Sequence, residues 1–267
     1  MTTYKPVNPE SFGHLTWRSP SHYKHATGMG HVTLSPREVY RAAALMPVAF
    51  VKKGQRFDPV AVAGQTADHN LFIGPDGRWL VRYVPAALRL QPFKVIPSGK
   101  GDAILCADVE SAWVSPSGGN PFFEGDGAAP AVQPILAELT QMLSESGPPL
   151  KAISDALQEH SLLTPWDITF IRPDGTQVAH KGLYHIDADV LGKLTGAALE
   201  ALHRVHALPM IYAQRLSTFH LPLLDRLARM HGQLAPAPTT GLDSVDNLFG
   251  ESSDDIIKFG FDAPPKP

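Results

Sequence analysis

The stretch Asn70–Phe93, reading NLFIGPDGRWLVRYVPAALRLQPF, limits most sharply how this chain folds. Two apolar runs, Leu71–Ile73 and Trp79–Val84, flank Pro75-Asp76-Gly77. Proline presets φ for a turn, aspartate bonds back to the backbone and glycine accepts positive φ, so the segment is expected to form a β-hairpin. By period two, Trp79, Val81 and Tyr83 share one face, and Leu80, Arg82 and Val84 the other. Arg82 then sits among apolar neighbours and is expected to find a carboxylate or a cluster of carbonyls.

The pattern on either side sets the fold class. Ser35-Pro36-Arg37-Glu38 reads as a helix start, with a capping serine, a proline in the first turn and a glutamate three residues after the cap. That helix runs to Met46 and stops at Pro47. Short strands are expected at Val48–Val51, Val60–Gln65, the two arms of the hairpin, Phe93–Pro97 and Ala103–Ala107. Tight loops join them, which permits antiparallel pairing and disfavours parallel neighbours. Beyond the loop 115–130, apolar residues from Val132 to Leu143 and from Leu150 to Leu157 recur at helical spacing. A second hairpin, Trp166–Ile171 with Gln177–Ile186, turns at Pro173–Gly175. Asp187 and Thr195 are placed to cap further helices, and Leu208–Met230 reads as one helix kinked near Pro222.

The expected class is α+β: an N-terminal curved antiparallel sheet, a C-terminal helical part packed on it, and a second β-hairpin. Residues 1–30 read as an irregular segment. Residues 31–231 read as one α+β domain, sheet-rich over 48–114 and helix-rich over 130–231. Residues 232–267 read as a mobile tail. Its end alternates Ile257, Phe259 and Phe261 with Lys258 and Gly260, the pattern of an edge or docking strand. Either the protein's own core or another chain covers those side chains.

Composition narrows the function. A net charge of −3 without a lysine or arginine run argues against nucleic acid as the main partner. The longest apolar run, Ala42–Val51, contains Pro47 and is far shorter than the ~20 residues that span a bilayer. With no leader-like start, the protein is expected to be soluble and cytoplasmic. The lone Cys106 precludes an intramolecular disulfide and a multi-cysteine zinc site, and reads as a small core side chain.

Signatures of common chemistries are missing: there is no GxGxxG after a strand, no GxxxxGK[ST], no HExxH and no GxSxG. His14, His22 and His25 lie in the polar N-terminal segment, with no periodic element to hold them in a ligand geometry. His185-Ile186-Asp187 places two ligand types on alternate strand positions. His203, His206, His220 or His231 could complete a facial triad for iron, with Arg215 holding an acidic cosubstrate. Against this, the segment after Asp187 looks helical, and capping is a sufficient role for that aspartate. Trp79, Arg82, Tyr83, Arg89 and Phe93 form the richest aromatic and cationic set, a composition that recurs in binding sites and in cores alike.

Several runs together resemble the SapC family of bacterial proteins. They are Pro47-Val48-Ala49-Phe50, Asn70-Leu71-Phe72, and Trp79-x-x-x-Tyr83-Val84-Pro85-Ala86-x-x-Arg89-x-x-Pro92-Phe93. Further along come Gly182-Leu183-Tyr184-x-Ile186-Asp187, Leu202-His203-x-x-x-Ala207-Leu208 and Ile211-Tyr212-Ala213-Gln214-x-x-Ser217, and Ile256-Ile257-Lys258-Phe259-x-Phe261 closes the series. The resemblance spans roughly residues 25–262 and leads one to expect a glycine near Ala207. The family is named for proteins linked to surface-layer biogenesis, and Gram-negative members often accompany TonB-dependent receptors, flavin-dependent tryptophan halogenases and cupin-like proteins. The resemblance carries no catalytic residues across.

The expectation is therefore a non-enzymatic adaptor, without a cofactor, that binds a protein partner of an envelope-uptake or surface-layer system. Its contacts are expected at Trp79, Arg82, Tyr83, Arg89 and Phe93, with Ile257, Phe259 and Phe261 as a second contact. The alternative is an iron/2-oxoglutarate-type hydroxylase or other enzyme acting on a peptide or small aromatic metabolite, with His185 and Asp187 as ligands.

Overall fold

Tight turns dominate the first half of the chain, and antiparallel pairing follows from them. The structure is a computed structural model and describes residues 3–98, 103–125, 127–172 and 175–234. The N-terminal segment, expected to be irregular, carries short elements. It holds β1 (Tyr4–Pro6), α1 (Pro9–Phe12, capped by Asn8) and β2 (Thr16–Trp17) before β3 (His31–Thr33). Elements of two to four residues have no period to read, and β1 owes its place to distant β7.

The Ser35 capping box forms and leads through a 3₁₀ turn into α2 (Val39–Ala43). The strands β4 (Val48–Lys53) and β5 (Arg56–Val62) follow, hinged at Gly54 with φ +63°. The second thus begins four residues earlier than its apolar run suggested. Next come α3 (Ala86–Arg89), β6 (Phe93–Pro97) and β7 (Ala103–Asp108). The loop expected over 115–130 carries the two-residue strands β8 (Val114–Ser115), β9 (Asn120–Pro121), β10 (Phe123–Glu124) and β11 (Gly127–Ala128). The helices α4 (Gln133–Glu145) and α5 (Pro148–Glu159) precede the second hairpin, β12 (Leu163–Ile171) with β13 (Gln177–Ile186). The described chain ends in α6 (Ala188–Gly192), α7 (Gly196–Arg204), α8 (Ala207–Ser217) and α9 (Leu221–Leu234). No described helix is long and apolar enough to cross a membrane.

The fold is α+β, and every strand pairing among the described residues is antiparallel. A five-stranded sheet runs β12-β13-β4-β5-β3, and three smaller ones are ordered β1-β7-β6, β8-β2-β9 and β10-β11. The hairpin expected at 71–84 is only half present. Its bend exists, with Gly77 at φ +87° and a Gly77 N–H to Gly74 carbonyl bond of 2.8 Å. The run Trp79–Val84 is not a strand; a single bridge joins Trp79 to Ile73. The indole N–H of Trp79 donates to its near neighbour, the Tyr83 carbonyl, at 2.7 Å and coils the segment instead.

Two apolar clusters result. The larger gathers Phe50, Val60, Phe72, Leu157, Leu183 and Ile211 about the five-stranded sheet and helices α2, α5 and α8. The smaller gathers Phe12, Trp17, Phe93, Phe122, Val132 and Leu139 about β6, β7 and α4. The sheet curls: Gly182 at φ +78° and a register shift between Trp166 and Ile168 bend the β12–β13 hairpin. His180 on β13 thereby reaches the end of β5, where its Nδ1–H donates to the Gly64 carbonyl at 3.0 Å. Its other nitrogen must then accept from His31 Nδ1 on β3, 3.3 Å away, although two strands separate β13 from β3 in the sheet.

Helical side chains complete the sheet's hydrogen bonds. The ladder between β13 and β4 pairs only Leu183 with Val51 and Tyr184 with Phe50. Beyond it, buried Gln214 of α8 accepts from Ile186 N–H at 3.1 Å and donates to the Val48 carbonyl at 3.1 Å. Ser217, one turn on, accepts from Val48 N–H at 2.8 Å, and Ser154 of α5 accepts from Phe57 N–H at 2.9 Å. The helix expected over Leu208–Met230 is broken by a 3₁₀ turn at Thr218–His220, because Pro222 has no N–H for the Thr218 carbonyl. His206 caps α8 in the left-handed region, φ 59°, so the position that favours glycine is one residue before Ala207.

Gln214→Leu leaves Ile186 N–H and the Val48 carbonyl unpaired inside the protein. The expected cost is about 2–4 kcal/mol, against about 1–2 kcal/mol for Ser217→Ala, read by urea unfolding. His206→Gly relieves the left-handed strain and is expected to raise stability by about 0.5–1 kcal/mol in the same assay, after glycine's own entropic penalty.

Candidate functional site

Glu38 closes the helix start and is only 4% exposed. Its Oε2 accepts from the Ser35 amide and hydroxyl, each at 2.9 Å. Its Oε1 accepts from the Tyr83 hydroxyl at 2.6 Å and the Ala86 amide at 2.7 Å. Four donors on one buried carboxylate offset the loss of its hydration, and charge-assisted bonds are the strong kind. The coil 79–85 is thereby pinned to the start of α2, and the amide of Ala86 fixes the entry to α3.

Burial, then the bond to Glu38 and its charge, hold the Tyr83 phenol well above the usual tyrosine range, with Arg89 and Arg41 opposing. One α-helical turn from Ala86, Arg89 makes a two-pronged bond to Glu138 of α4: Nη1 donates to Oε2 at 2.8 Å and Nη2 to Oε1. That bond raises the Arg89 guanidinium and lowers the Glu138 carboxyl from their ordinary values. The pair forms a wall between two clefts. One, of about 420 Å³, is lined by Arg37, Arg41, Tyr83, Ala137 and Gln141 besides Glu38. The other, of about 370 Å³, includes Trp17, Pro20, Tyr23 and Gln91.

In the first cleft the acceptors are used and donors are left over. The oxygens of Glu38 have four donors and those of Glu138 have Arg89. Arg37 reaches Glu145 only at 3.6 Å and is 45% exposed at its side chain. Arg41 has no hydrogen bond or ion pair among the described residues, and neither has Arg82, which is exposed beside Tyr83 and outside the cleft lining. The expectation that Arg82 would find a carboxylate or carbonyls is overturned: without a strand at 79–84 it has no apolar face to sit on.

The other expected residues separate. Trp79 is half-buried and stacks on Phe72, ring centres 5.5 Å apart. Phe93 is not available to a partner: it is 3% exposed, edge-on to Trp17 at 4.9 Å, and belongs to the smaller core because β6 turns it inward. Ile257, Phe259 and Phe261, with the proposed docking strand, lie outside the described residues. His185 and Asp187 do not converge on a common point with a third ligand. Asp187 caps α6, accepting from Asp189 N–H at 2.8 Å and Val190 N–H at 3.0 Å, while His185 lies against Trp166. Among the described residues no three His, Cys, Asp or Glu side chains are grouped to hold a metal.

Glu38 was visible in sequence as a cap, but not as the acceptor for Tyr83 and Ala86, 45 and 48 residues on. Arg41 and Glu138 carried no sequence signal beyond an ordinary polar helix face. Also unread were Tyr212, Leu216 and Phe219, 52%, 65% and 81% exposed, which recur at helical spacing along α8 and the turn after it.

A model of the SapC family matches residues 7–224. The chain belongs to the SapC family. No curated protein and no solved structure matches it. In this SapC family chain the residues that carried the resemblance divide by task. Gln214 and Ser217 serve the sheet, whereas Tyr83 and Arg89 are bound to Glu38 and Glu138 at the cleft.

Tyr83→Phe removes one donor from Glu38 and is expected to cost about 1–2 kcal/mol, the lower part of the charged-bond range because the phenol is half-buried. The phenol's folded value lies above the ordinary 10.0, so its contribution is complete below that pH and declines as pH climbs toward the folded value. The stability gap between the two proteins should therefore be full at about pH 9 and narrower at about pH 11, measured by urea unfolding.

Proposed function

We propose that this SapC family protein is a non-enzymatic adaptor that grips an acidic segment of a protein partner at the cleft beside Arg89. The observation that carries the reading is the surplus of free guanidinium donors, Arg41 and Arg82, on a frame made stiff by the bonds of Glu38 and Glu138. A guanidinium held near the chain's own carboxylates is already satisfied, but one left without an acceptor offers directed donors to an incoming carboxylate. Preorganisation lowers the ordering cost of such an encounter. The partly exposed Trp79 adds a rigid ring close to Tyr83. Phe93 has no part in this surface. The proposed partner belongs to an envelope-uptake or surface-layer system and is met in the cytoplasm, a reading that membership of the SapC family supports.

The test is photo-crosslinking in the native cell. A crosslinking amino acid replaces Gln141, which lines the cleft, and captured proteins are identified by mass spectrometry. Arg41→Glu with Arg82→Glu is expected to abolish that capture with the fold kept and only a small fall in melting temperature, since neither guanidinium makes an internal bond and Arg41 acts on Glu138 only through its charge. Capture that persists undiminished in the doubly reversed protein overturns the reading.

A further inference from the structure

A further cleft, of about 410 Å³, opens between the N-terminal segment and the turn after β7, lined in part by Tyr4, His22, Gln91, Asp108, Glu110 and Trp113. Its chemistry is the inverse of the arginine cleft. Asp108 ends β7 and is 8% exposed. Its Oδ1 accepts from the amides of Thr3 at 3.0 Å and Glu110 at 3.2 Å. Among the described residues its Oδ2 accepts no hydrogen bond and no cation pairs with either oxygen; that oxygen is not sealed in the interior but is open to the cleft. A carboxylate fixed by backbone amides on one oxygen and open on the other is poised for a charge-assisted bond from outside.

The neighbours do not supply the missing charge. Glu110 lines the same cleft and has no ion pair among the described residues, so it adds to the negative field. Lys94, the nearby amine, sits over the Tyr4 ring at 5.5 Å instead. Burial, and then the neighbouring His22, hold the His25 imidazole below its usual range, which disfavours a charge on that ring. Among the other lining residues Trp113 offers a π face, its ring centre 4.6 Å from His22, whose buried Nδ1 has no partner. A carboxylate in want of a counter-ion beside aromatic faces is the recognition chemistry of an organic cation. The volume suits a small ligand or a single long side chain.

We infer that this cleft binds an ammonium, amidinium or guanidinium group, with Asp108 as its counter-ion, Glu110 at the mouth and Trp113 as the stacking wall. The cation is either a free small amine or the side chain of a lysine or arginine on a bound peptide. Isothermal titration calorimetry on the full chain separates these, with benzamidine, its neutral isostere benzamide, and an acetylated Gly-Arg-Gly amide as probes. Benzamidine is expected to bind and benzamide is not. Asp108→Asn keeps the Oδ1 acceptor and is expected to weaken benzamidine about tenfold or more. Glu110→Gln, at an exposed position, is expected to weaken it about threefold and gives the answer should Asp108→Asn fail to fold. Tighter binding of the peptide than of benzamidine assigns the cation to a peptide side chain; binding of benzamidine alone assigns it to a free amine. Equal affinity for benzamide, affinity unchanged in both variants, or no heat from either cation at millimolar concentration overturns the inference.

Discussion

One carboxylate holds the two cores of this protein in register. Glu38 belongs by sequence to the start of α2, whose apolar residues pack in the larger core, while the amide it accepts from Ala86 opens α3 in the smaller one. Tyr83, bonded to the same oxygen, packs against the larger. An ion pair would have fixed Glu38 to one side chain of uncertain rotamer. Two backbone amides and two hydroxyls hold it instead, and the Tyr83 hydroxyl and Ala86 amide tie both ends of the strap from Tyr83 to Ala86. Only with that strap in place does α3 present Arg89 to Glu138 and raise a wall between the two clefts. A buried carboxylate is tolerable here because each oxygen has two donors.

What was legible in the sequence was chemistry that acts over a few residues. The Ser35–Glu38 box, the caps at Asp187 and Thr195 and the strands Phe93–Pro97 and Gln177–Ile186 depend on local geometry, and they stand where the pattern put them. Trp79–Val84 shows the limit. Its alternation and its β-formers fit a strand, yet a strand also needs a neighbour, and the indole took the Tyr83 carbonyl instead. The β1–β7 pairing spans about a hundred residues and leaves no periodic trace in three. The candidate site was legible in part. Tyr83 and Arg89 stood out by residue type, but their acceptors Glu38 and Glu138 lie 45 and 49 positions away, and nothing in a polar helix face marks such a partner.

Polar side chains do the work of missing strands elsewhere in the fold. Where β13 and β4 part company after two residue pairs, Gln214 accepts from one strand and donates to the other, as the next peptide of a ladder would. His180 does the comparable task where the bent hairpin meets the end of β5, and passes the constraint on to His31. Both are buried, and both would be costly if unpaired. This explains how a sheet can curl strongly without losing backbone bonds. It also commits Gln214, His180 and His31 to the fold.

What the fold leaves uncommitted separates by the sign of its charge. Arg89 lines two clefts and Gln91, two residues on, lines the second and a third. Over that short span the free capacity changes sign: donors without acceptors around Arg41, an acceptor without a donor at Asp108. The chain's net charge of −3 conceals this separation. Internal pairing removes charge contrast wherever opposite groups can reach one another, and the bonds of Glu38 and Glu138 show how thoroughly it does so in the cleft wall. Two clefts of opposite chemistry persist because the stiff segment from Ala86 to Gln91 keeps their free groups from meeting. The same rigidity that costs the chain these two neutralisations leaves both sites open to groups from outside.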